Sequence, residues 1–146
     1  MTTDISARGV HDPAGVALDN PVWGSLTGAH ARFARAQPGP FLPRTIELGR
    51  YVGIRRERKL IAMAGERLQP PGWTEISAVC TDARYCGQGF ATRLVRDVAA
   101  GIRARGATAF LHTAAANTGA IRLYQSLGFT LRAETNFRRW ATPELD

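Results

Sequence analysis

The stretch Val79-Cys-Thr-Asp-Ala-Arg-Tyr-Cys-Gly-Gln-Gly-Phe-Ala91 holds the residue types that seat a phosphate. A strand-like run ends, a loop with Gly87 and Gly89 follows, and a helical pattern starts at once. A helix that opens on such a turn leaves its first backbone N–H groups unpaired and pointing one way. With the helix dipole, they attract phosphate oxygens. Glycine lets the turn take strained angles and lets a ligand approach the main chain. Two nucleotide loops are excluded by spacing. Position 92 is Thr, so no Gly-x-Gly-x-x-Gly exists, and there is no Gly-Lys-Ser/Thr. Cys80 and Cys86 form no Cys-x-x-Cys pair, and the three histidines are scattered, so no metal site is expected. Both thiols read as free cysteines of a reducing cytoplasm.

The elements that must carry this turn fit about one domain in 146 residues. No apolar run is long enough to cross a membrane, and no secretory leader is visible. A cytoplasmic protein without a membrane partner is therefore expected. The formal charge is +7, from 19 basic and 12 acidic residues. This favours polyanionic ligands in general. The arginines are spread along the chain without a nucleic-acid motif, so nucleic acid is not expected as a partner.

Residues 1–18 read as a flexible tail and 19–146 as a single domain. Asn20 and Pro21 open a helix carrying Trp23, Leu26, His30 and Phe33 on one stripe. Residues 37–40 end it, and Pro43 and Thr45 leave room for one helical turn. Two strands, Tyr51–Ile54 and Leu60–Leu68, join through a charged turn lacking Asn-Gly, so sequence leaves its register open. Trp73–Thr81 is a third strand. Strict alternation puts Glu75, Ser77, Val79 and Thr81 on one face and Ile76, Ala78 and Cys80 on the other. Phe90, Ala91, Leu94, Val95, Val98, Ala99 and Ile102 line a helix that Gly106 stops. Thr108–Thr113 is a short strand. Asn117 or Thr118 caps a further helix, ended by Gly128. Phe129–Ala133 and Asn136–Trp140 read as two final strands. The expected fold is α/β, with a mixed, mostly antiparallel central sheet and flanking helices.

Two motifs in this order resemble a known family. Val79-x-Thr81-x-Ala83-x-x-Cys86-Gly87-x-Gly89-x-Ala91 resembles the acetyl-coenzyme A signature of the GNAT superfamily of N-acetyltransferases. Asn117-Thr-Gly-Ala120-Ile-Arg-Leu-Tyr124-Gln-Ser-Leu-Gly128-Phe129 resembles its second cofactor motif. The resemblance spans roughly residues 51–140, which it implies to be a cofactor-binding core, and implies an acyl-CoA N-acyltransferase-like fold with a shortened N-terminal part, its first strand missing. Cys86 stands where the signature usually has Gln or Arg, and Ala83 where it often has Pro.

The resemblance implies direct acetyl transfer from acetyl-CoA to an amine. Backbone groups of Cys86, Gly87, Gln88, Gly89, Phe90 and Ala91 would hold the pyrophosphate. Thr92 either adds a hydroxyl or is a plain helix-start residue. The β-strand edge at Val79, Cys80 and Thr81 would pair with the pantetheine arm. Asn117 and Ala120 would contact the cofactor, Asn117 also serving as cap. Tyr124 is the implied general acid, or else a core aromatic. Glu75 is the candidate base, with a pKa raised by partial burial, or else a solvated strand residue. The acceptor, a small-molecule or peptide amine, carries no readable motif. The shortened front end leaves a second reading, a catalytically weak or inactive coenzyme A-binding regulatory module. It also leaves a sheet edge that a homodimer could cover.

Overall fold

The computed structural model describes residues 18–19 and 43–136. The expected helix after Asn20 and the final strand at 136–140 fall outside this range, Asn136 apart. Among the described residues five strands form one sheet in the order β1 to β5. They are β1 (Leu18–Asp19), β2 (Tyr51–Arg56), β3 (Lys59–Glu66), β4 (Trp73–Thr81) and β5 (Thr108–Leu111). Neighbours run antiparallel except β4 and β5, which are parallel. The place of a first strand is thus held by two residues, Leu18 and Asp19, paired with Ile54 and Gly53. Leu18 leaves the expected tail and joins the sheet. Where Pro43 and Thr45 left room for one helical turn, a 3-10 helix of 6 residues, Pro43–Leu48, runs for about two turns.

Between β4 and β5 runs α1 (Phe90–Ala104), and after β5 comes α2 (Thr118–Ser126). α1 buries Phe90, Leu94, Val95, Val98 and Ile102 against Val52, Ile54, Ile61, Ala64 and Ile76 of the sheet. Two ion pairs fix its rotation: Arg50–Asp97 and Arg105–Glu66, both 2.8 Å. Both helices stop at glycines with positive φ, Gly106 (78°) and Gly128 (89°). In each, the next residue's N–H reaches back to a carbonyl of the last turn: Ala107 to Ile102 at 3.2 Å and Phe129 to Tyr124 at 3.0 Å. These are Schellman closures, which use carbonyls the helix would otherwise leave bare.

Two expectations are corrected here. β4 is not evenly alternating. Gly65 pairs with Ser77 and Met63 with Cys80, so β4 carries one extra residue, and Ala78 takes φ 53°. This β-bulge flips everything beyond it to the other face. Val79 packs beside Ile76 in the core under α1. Ala78 and Cys80 join Tyr51, Leu60 and Met63 in a second cluster. Glu75 therefore does not share a face with Val79. Nor is there a strand at Phe129–Ala133. The amide of Phe129 is already used by the helix end, and no ladder partner exists among the described residues. Leu131 is accordingly 78% exposed.

Candidate active site

β4 and β5 pair from Trp73–Thr108 to Ile76–Leu111 and then part, because β5 ends at Leu111 while β4 runs on to Thr81. Among the described residues, no strand covers that edge of β4 from Ser77 onward. An uncovered edge offers amides and carbonyls to an extended ligand. Val79, Cys80 and Thr81 lie on this segment. The Oγ1 of Thr81 is buried without a hydrogen-bond partner, a polar atom that a ligand would satisfy.

β4 leads into the 3-10 turn Ala83–Tyr85. Asp82 caps it by accepting from the Arg84 N–H at 3.0 Å. The carboxylate of Asp82 also takes the Arg84 guanidinium at 3.2 and 2.9 Å, which stiffens the loop. Cys86 follows, exposed, with Sγ 3.8 and 3.7 Å from the carbonyls of Thr81 and Asp82. Gly87 and Gly89 have φ 75° and 79°, and an added Cβ at either would meet open space. Glycine is required here for the backbone angle, and the space beside it is open to a ligand. Gly89 is the N-cap of α1 and supplies no side-chain hydrogen bond. The first-turn amides, at Phe90, Ala91 and Thr92, are left without a side-chain cap. No acidic residue occupies that turn to offset the positive end of the dipole.

α2 begins at Asn117, whose Oδ1 accepts from the Ala120 N–H at 3.1 Å. Asn117 rather than Thr118 is the cap. Its last turn carries Tyr124, 9% exposed. The Schellman closure seats Phe129 edge-on against Tyr124, 6.1 Å between centroids. Burial, with the Cys80 thiol adding to it, holds the phenol above its ordinary value. Tyr124 is therefore a protonated donor at neutral pH. Burial also pushes the Cys80 thiol up to about 12, so no thiolate forms there.

Glu75 departs from the expected raised pKa. Burial alone would push its carboxyl up, but hydrogen bonds from Arg67 and His112 outweigh it and hold the group below its ordinary value. Arg67 grips it as a fork, Nε to Oε2 at 2.9 Å and Nη2 to Oε1 at 2.8 Å. His112 Nδ1 lies 2.8 Å from Oε1. Glu75 itself is 1% exposed. A carboxylate so paired is a fixed anion, ill-suited to take a proton from a substrate. Sequence reasoning passed over Arg67 and His112. One signal pointed to the histidine: in open α/β sheets, ligands sit beyond the carboxyl ends of strands, and His112 directly follows β5.

Comparison with known proteins identifies the family. The sequence model of the FR47-like protein family matches residues 51–138. The crystal structure of a chain described as a GNAT-family acetyltransferase, from Novosphingobium aromaticivorans, is 40% identical. Its TM-score is 0.73, over 88% of this chain and 57% of that one. The N-alpha-acetyltransferase RimI of Mycobacterium tuberculosis is 37% identical over 82 residues, 54% of this chain and 51% of the relative. The chain thus spans about half the length of that curated relative. The ribosomal-protein-S18-alanine N-acetyltransferase of Escherichia coli, at 23% identity and TM-score 0.69 over 81% of this chain and 79% of that one, shares the fold. With that match across most of the described sheet and both helices, the chain belongs to the FR47-like family within the GNAT superfamily of N-acetyltransferases.

Proposed function

We propose that this chain transfers an acetyl group from acetyl-CoA to an amine directly, without a covalent enzyme intermediate. One observation carries the reading. The uncapped start of α1, at a left-handed glycine, follows a strand whose edge beyond Ile76 no described strand covers. The cofactor fits the residues present. Main-chain amides from Gly87 to Ala91 would hold its pyrophosphate, with the Thr92 hydroxyl beside them. Val79 and Thr81 would pair with its amide-bearing arm, and the Thr81 hydroxyl would gain a partner. Asn117 and Ala120 would border it from α2. Tyr124 would give its proton to the departing thiolate. The cofactor core is assigned to residues 51–140, and the two free thiols suit a reducing cytoplasm.

A peptide α-amine is the first acceptor to try, because the M. tuberculosis relative is named for that reaction. The test is calorimetry with acetyl-CoA, followed by free-thiol detection with an amine panel: an alanyl peptide, glycinamide, spermidine and an aminoglycoside. Binding with turnover on any amine is expected. Binding with no turnover on the panel would point to a regulatory module instead. Gly89→Leu, which forces a side chain into a left-handed position at the seat, is expected to abolish detectable acetyl-CoA binding while the protein stays folded by circular dichroism.

A further inference from the structure

We infer that His112 Nε2 accepts the proton from the acceptor ammonium, with Glu75 and Arg67 as the residues that position the ring. This rests on the acetyl-transfer reading above. His112 is the first residue beyond the paired part of β5, so it stands where β4 and β5 part. Its Nδ1 is 2.8 Å from Glu75 Oε1. An ionised carboxylate only accepts, so Nδ1 must donate, and in the neutral ring the lone pair falls on Nε2. Arg67 holds both Glu75 oxygens, and the Phe110 ring packs edge-on against the imidazole at 5.6 Å. The buried pair therefore fixes tautomer and orientation, as the buried partner of a catalytic histidine does elsewhere.

The carboxylates near the site are committed in other ways. Asp82 is held by Arg84, and Glu66 by Arg105 and the Arg50 amide. The Glu75 side chain is 2% exposed, whereas that of His112 is 35% exposed. Only the histidine joins access to solvent with a fixed orienting partner among these groups. Among the described residues, the charged and titratable groups on this side of it include Glu75 and Arg67, with Tyr51 and Glu66 beyond them.

The proton ledger closes. An ammonium N–H bond breaks and an Nε2–H bond forms. The freed nitrogen lone pair attacks the thioester carbonyl carbon. The C–S bond then breaks, its electron pair leaves with sulfur, and sulfur takes the Tyr124 proton. The nitrogen, cationic once the C–N bond has formed, gives a second proton to water; His112 returns its proton to water, and Tyr124 regains one from water, so one proton is released per turnover.

The experiment compares wild type with His112→Asn, whose side-chain amide can still donate to Glu75 but has no group in place of Nε2. The acceptor is the panel amine that wild type acetylates fastest. The expected loss in kcat/KM is about 100-fold near neutral pH, with acetyl-CoA affinity unchanged. The loss should shrink as pH approaches the amine's own pKa, where the acceptor sheds its proton unaided. Wild-type turnover in the variant, or a loss equal at every pH, overturns the inference. If His112→Asn no longer binds acetyl-CoA, His112→Gln replaces it. Loss of binding in both makes the histidine structural and overturns the inference too. A wild type that binds acetyl-CoA but acetylates no panel amine instead fails the acetyl-transfer reading, and the role of His112 falls with it.

Discussion

Tyr124 and Glu75 are both buried, yet burial sends them to opposite ends of their ranges. Burial, reinforced by the Cys80 thiol, keeps the phenol neutral and able to donate. Tyr124→Phe keeps the packing against Phe129 and removes only the proton. It is expected to lower kcat about 100-fold with acetyl-CoA affinity unchanged in calorimetry. The Glu75 carboxyl has Arg67 and His112 against it and stays ionised. Removing one partner of a buried ion pair strands the other, so Glu75→Ala is expected to cost about 3 kcal/mol near neutral pH. Its folded pKa lies below the unfolded value, so the folded state binds fewer protons. The stabilisation is complete above the ordinary value of 4.5 and is lost as pH falls through the folded value. Urea denaturation across this range should show wild type converging on Glu75→Ala in acid; a gap constant with pH would contradict the ion pair.

At the scale of elements, strand register places the site. The hairpin between β2 and β3 turns on two residues, Glu57 and Arg58, at φ 49° and 63°. Asn-Gly normally takes this turn, so its absence hid the register from sequence. Gly65 supplies a second constraint. A Cβ there would lie 2.2 Å from the ring of Tyr51, which is itself 1% exposed. Gly65→Ala should therefore force β2 and β3 apart, destabilising by about 2 kcal/mol, read as a lower urea midpoint. A neutral result would mean that the Tyr51 ring does not lie over Gly65. The bulge at Ala78 is the other such device. It puts Val79 beneath α1 and Cys80 on the opposite face, and no alternation rule anticipates it.

Across the whole molecule, charge and fold act together. The chain carries +7, and two guanidiniums, of Arg56 and Arg84, lie 5.7 and 5.8 Å from the Tyr85 ring just ahead of the glycine turn. A polyanionic cofactor approaching this rim is attracted over a distance that salt controls. Acetyl-CoA affinity should weaken several-fold as ionic strength rises from ~0.01 to ~1 M, where screening contracts from about 30 to about 3 Å. Affinity flat across that range would show that the basic rim takes no part. No described helix is long and apolar enough to cross a membrane.

The amino-acid sequence by itself determined the order of β2 to β5 and the two helices between and after them, the glycine turn before α1, a cap at Asn117 or Thr118 and the glycine stops at 106 and 128. Each of these is a local matter: a φ that only glycine takes easily, a side chain within three residues of its amide, an apolar period matched to a helix. Only the tertiary structure decided the face of Val79, the pairing of Leu18 and Asp19, and the anchoring of Glu75. The Arg67–Glu75–His112 constellation joins three elements, with His112 lying 37 residues from Glu75 in the chain. Its protonation depends on which charges the folded sheet brings within hydrogen-bond reach, and that distance is set by register, bulge and burial rather than by spacing along the chain.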